Sequence, residues 1–79
     1  MHANRVIKTE QVAGGGSLTM PQGAWTIRVV AQGADSLMQM SRDDGPGALC
    51  PNAVPEYFQL QANETVKFTS TVNVSILSR

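Results

Sequence analysis

The clearest regularity in the chain is an alternation that runs from Phe58 to Ile76. Its even positions are apolar (Phe58, Leu60, Ala62, Val66, Phe68, Val72, Val74 and Ile76), with Glu64 and Ser70 as the exceptions, and the odd positions between them are polar. A period of two turns one set toward a core and the other toward water, the pattern of half-buried antiparallel strands. In a hairpin, directly opposed residues share a face, so a parity that never changes demands turns with odd-numbered loops. Ala62-Asn63-Glu64 suits such a turn, because Asn accepts a left-handed backbone. Thr69-Ser70-Thr71 fits the count but lacks Gly or Asn, so residues 65–77 read either as two strands or as one long bent strand.

Upstream the pattern is more broken. Ala24–Gln32 places Trp25, Ile27, Val29 and Ala31 on one face, with Thr26, Arg28 and Gln32 opposite and Val30 interrupting the polar side. Gly33-Ala34-Asp35 then leads to Ser36–Ser41, most simply as a hairpin. Ser17–Met20 reads as a short strand ended by the turn signal Pro21-Gln22-Gly23. Arg5–Val12 is β-compatible but alternates poorly. With Gly14-Gly15-Gly16 as a flexible joint behind it, it is either an edge strand or an arm that becomes a strand on a neighbour's sheet edge.

Between Arg42 and Pro55 stand three prolines and two glycines, which exclude a helix and any central strand. Ala48, Leu49, Cys50 and Val54 within this stretch need cover, by folding over the sheet or by packing on a partner. No segment has a helical period. The expectation is a single all-β domain over residues 1–79, a small antiparallel β-sandwich or open barrel of five to seven short strands. Residues 1–13 form its N-terminal arm or edge strand, and residues 14–79 its body, with an irregular loop at 42–55.

Composition narrows what such a domain can do. A chain of 79 residues buries only roughly 60% of the surface its unfolded form exposes. Small domains usually add a disulfide, a metal or a partner subunit. Cys50 is the single cysteine and His2 the single histidine, so an internal disulfide and most zinc arrangements are excluded. Net charge is zero and only 15% of residues are charged. The six basic residues are scattered, which argues against a nucleic-acid partner. Met1–Glu10 lacks the apolar segment of a secretory signal, and no stretch approaches the length of a membrane helix, so the chain reads as a small gene product made in a cytoplasm.

Candidate chemistry is sparse. Asp43-Asp44-Gly45 is the only acidic cluster, but it lacks the ligand spacing of a calcium loop and reads better as a solvated turn. Glu56 and Glu64 would need an opposed carboxylate across a cleft to hydrolyse a glycoside. Cys50 has no base near it in sequence, and no Gly-x-Ser-x-Gly elbow accompanies the serines. Trp25 is phased with Ile27 and Val29 as a core residue, while Tyr57 lies on the polar parity as an exposed aromatic. The chain is therefore expected to be no enzyme and to hold no cofactor or metal.

The glycine-jointed segment at Gly14–Gly16, the Ala24–Gln32 strand and the ending Phe58–Arg79 resemble, in overall style, the small β-proteins that decorate or cement the virions of tailed bacteriophages. The stretch Phe58–Phe68 looks like the final hairpins of such proteins. The resemblance implies a non-enzymatic virion component, often trimeric, that sits on the capsid and stiffens contacts between major capsid proteins. A small core, a polar uncharged surface and a long apolar loop point independently to a subunit stabilised by assembly. Expected partners are copies of the chain itself, as a homo-oligomer such as a trimer, and a larger lattice such as a major capsid protein, without nucleic acid or membrane. The interface is expected at Val6, Ile7, Val12, Leu49, Val54 and Tyr57, and removal of residues 1–12 is expected to abolish incorporation while leaving a folded body. Two alternatives stand beside this one. One is a small binding module for a glycan or regulatory protein, with Tyr57 and the long loop as its face. The other is a tail or baseplate component of the same kind of particle.

Overall fold

The structure, a computed structural model, describes residues 5–22, 24–40 and 47–78, with the side chains of residues 24 and 25 outside that description. Among the described residues there is no helix, and eight strands follow one another: β1 (Val6–Val12), β2 (Ser17–Thr19), β3 (Ala24–Ala31), β4 (Ser36–Met40), β5 (Ala48–Cys50), β6 (Glu56–Gln59), β7 (Thr65–Phe68) and β8 (Val72–Ser78). They form two four-stranded antiparallel sheets, in the orders β1-β8-β3-β6 and β2-β7-β4-β5. Eight strands replace the five to seven expected, because β5, three residues inside the stretch expected to be an irregular loop, is too short to write a period.

Successive strands alternate between the sheets, and only β4 and β5 are chain neighbours paired with one another. Gly33 takes the left-handed backbone a tight turn requires (φ 84°), yet the turn carries the chain from one sheet to the other instead of closing a hairpin. Asn63 is left-handed too (φ 69°), and it joins β6 and β7 across sheets. Residues 65–77 are thus two strands in different sheets. The constant parity from 58 to 76 does not come from odd hairpin loops. Each crossing resets the phase, and burial then selects the apolar residues for the inner side.

Both exceptions to the alternation sit at crossings. Glu64 closes its turn by accepting a hydrogen bond from Gln61 N–H at 2.6 Å, while its own carbonyl accepts from Met20 N–H at 2.8 Å. Ser70 is tied to Ser36, whose buried hydroxyl donates to Ser70 O and accepts from Ser70 N–H, each at 3.1 Å. The three-glycine stretch is a bonded turn: Gly15 N–H donates to Phe68 O, Phe68 N–H to Gly16 O, and Gly16 N–H to Ala13 O.

One core joins the sheets. Val12, Ile27, Val29, Ala31, Val72, Val74 and Ile76 come from the first, and Leu18, Met38, Cys50, Val66 and Phe68 from the second. Met20 and Leu60, from the connections, complete it. Leu77 and Thr26 pair on the other face of the first sheet and are nevertheless buried, so that face is less open than its polar odd positions suggest. Among the described residues no helix is long and apolar enough to cross a membrane.

Candidate functional site

β1 lies along β8 at the edge of the first sheet, so residues 6–12 are an edge strand of their own domain. Lys8, Glu10 and Val12 stand opposite Ile76, Val74 and Val72 on the core side, but a bulge between Val6 and Lys8 moves Val6 beside Leu77 on the other face. A bulge reverses the phase of a strand, which is why this segment alternates poorly in sequence. Lys8 and Glu10, both partly exposed, form an ion pair at 3.6 Å.

The stretch expected to be an irregular loop, residues 42–55, contains β5, an edge strand beside β4. Cys50 enters the core, Ala48 packs against it, and Leu49 faces outward opposite Leu37. Pro51 follows, without an N–H to extend the ladder. The turn into β6 is fixed by Asn52. Its N–H donates to Asp35 Oδ1 at 2.8 Å, its Oδ1 accepts from Gly33 N–H at 3.0 Å, and Ala53 N–H donates to Ala31 O at 2.9 Å. Val54 is therefore presented on an ordered turn. On β6, Phe58 packs inward while Tyr57 faces outward beside Arg28.

Of the expected interface residues, Val6, Ile7, Leu49, Val54 and Tyr57 are, among the described residues, the large apolar side chains left exposed, from 46% to 62%. Val12 is corrected. It is 7% exposed and belongs to the core, because the bulge puts it in phase with Val72. The five do not form one patch. Val6 and Ile7 lie at the β1 edge of the first sheet and Tyr57 at its β6 edge, while Leu49 faces outward from the second sheet. Leu37, Arg28 and the Lys8–Glu10 pair border these groups, a placement that only strand pairing produces and that no motif in the sequence signals.

The chemical candidates are placed as follows. Cys50 is fully buried, and its thiol is pushed from 9.0 to about 11 by burial and then by the Glu56 carboxylate. A thiol held in its protonated form is a poor nucleophile. Among the described residues no three His, Cys, Asp or Glu side chains come together, and every buried side-chain polar atom is hydrogen-bonded. Asp43-Asp44-Gly45 and His2 lie outside the described residues, as does the side chain of Trp25. Comparison with protein-family models, curated proteins and solved structures finds no match to this chain.

Proposed function

We propose that this chain is a non-enzymatic structural subunit that acts by burying surface against copies of itself and a larger protein lattice, as a capsid decoration or cement subunit does. Its fold in this reading is a small β-sandwich, the two sheets packed face to face on the shared core. The observation that carries the proposal is where the exposed apolar side chains lie: Val6, Ile7, Leu49 and Tyr57 on edge strands and Val54 on a pinned turn. Exposed edges with apolar residues are association sites unless blunted by charge, and this surface is charge-poor. The virion setting rests on the overall style of Gly14–Gly16, Ala24–Gln32 and Phe58–Arg79.

Gradient sedimentation of particles from the organism that makes the chain tests this function. The chain is expected to migrate with a high-mass particle and to leave it when Leu49 and Tyr57 are both changed to Ser. A chain that stays at the top of the gradient and instead binds a soluble glycan or regulatory protein overturns the proposal in favour of a binding module.

A further inference from the structure

At seven residues, β1 is the longest edge strand in either sheet, and among the described residues no strand pairs with its outer backbone. The direction of that free backbone follows from its neighbours. Gln32 N–H donates to Thr71 O, so along β8 the odd residues bond toward β3 and the even residues toward β1. The bond from Ser78 N–H to Arg5 O agrees. Lys8, Glu10 and Val12, opposite even residues of β8, therefore turn their N–H and C=O inward, and Thr9 and Gln11 turn theirs to the free edge.

We infer that this edge pairs with the same edge of a second copy, antiparallel and centred on Thr9, giving a two-fold dimer with one continuous eight-stranded sheet. This rests on the self-association reading above and narrows it to one surface and one register. A two-fold antiparallel pairing can be centred on an outward-facing residue, as a hydrogen-bonded pair, or on an inward-facing one, as a non-hydrogen-bonded pair whose side chains lie closer. Centring on Lys8 or Glu10 is of the second kind and brings two like charges together at that closest approach. Centring on Gln11 is of the first kind but sets Glu10 against Val12 of the copy, and the Gln11 side chain is already bonded to Gln32. Centring on Thr9 sets Lys8 against Glu10 of the copy, and Glu10 against its Lys8. Two opposite-charge pairs then join the two internal ion pairs in one four-charge cluster. The two Thr9 side chains meet on the other face, and Val6 and Ile7 lie at both ends of the ladder, where the bulge terminates it. Inward charges on an edge strand ordinarily discourage pairing. Here they discourage every partner except one with the reversed charge order, which the chain itself supplies.

Sedimentation equilibrium of the full chain tests the pairing. The wild-type chain is expected to dimerise. Thr9→Pro removes an outward N–H that β8 does not use, so it should keep the native circular dichroism and weaken dimerisation at least about tenfold. K8E and E10K should each weaken self-association similarly, while an equimolar mixture of the two restores a heterodimer, since both cross-strand pairs then carry opposite charges. A wild-type chain that remains monomeric at high micromolar concentration overturns the pairing, and particle sedimentation then judges lattice binding separately. A dimer that survives both Thr9→Pro and K8E also overturns it, while leaving self-association in place through another surface.

Discussion

Gly47 shows how much one residue type can decide. It sits just before β5 with φ 94°, and a Cβ there would collide with Met38 O, a backbone atom of the paired strand. A left-handed L-residue costs about 1–2 kcal/mol, and relieving a backbone clash costs about as much again. Gly47→Ala should therefore lose about 2–4 kcal/mol. Gly15→Ala, also left-handed (φ 82°) but with nothing within 4 Å of its would-be Cβ, should lose only about 1 kcal/mol. Urea midpoints check the contrast, and equal losses would mean that β5 does not approach β4 as described.

Cys50 gives a second residue-scale expectation, in pH. Its thiol would release a proton near 9.0 in the unfolded chain but only near about 11 in the folded one. Between those values the unfolded state binds fewer protons, so stability falls as pH rises. The contribution is fully present below pH 9 and lost through pH 11. The informative quantity is the difference from Cys50→Ala, whose stability should fall less steeply there. Identical slopes for the two chains would contradict the burial of the thiol.

At the scale of elements, β1 determines what removal of residues 1–12 does. A mobile arm could be cut away without harm, whereas β1 pairs with β8 from Val72 to Leu77 and sends Val12 into the core. Its deletion bares a formerly central strand carrying Val72, Val74 and Ile76, so the shortened chain should lose cooperative unfolding and slow amide exchange, not merely its partners. A truncated chain with native exchange protection would return this segment to the status of an arm.

The difference between arm and strand also marks how far the sequence reaches. Which way each residue of 58–76 points was legible, since inward and outward phase is a property of one strand: Val66, Phe68, Val72, Val74 and Ile76 are all buried. Strand partners were not legible. Gly33 serves a hairpin and a crossing equally well, and β5 is hidden between Gly47 and Pro51. Exposed Leu49 and Tyr57 could be found as apolar residues without an apolar neighbour two positions away on their own strand. Val12 could not be separated from Val6, because both are even-numbered valines and only the bulge divides them.

For the whole molecule, the alternation of strands between sheets governs how it folds and what stabilises it. Apart from β4 with β5, every strand pairing joins elements distant in sequence, and β8, the last strand, lies between β1 and β3. Non-local pairing is slow, so refolding should take milliseconds to seconds, as stopped-flow fluorescence can check; microsecond refolding would contradict the topology. It also leaves β1 without its partner until the last strand is available. A domain of this size has only about 4–12 kcal/mol of stability by itself, so any further burial counts heavily. If β1 pairs with its copy, dimerisation is linked to folding, and the melting temperature must rise with protein concentration. Thr9→Pro should show a much weaker dependence on concentration, melting slightly below the wild-type chain in dilute solution and well below it in concentrated solution. Parallel concentration dependence in the two chains would place the stabilising contact elsewhere, with the Leu37–Leu49 pair on the outward side of β4 and β5 as the next surface to change.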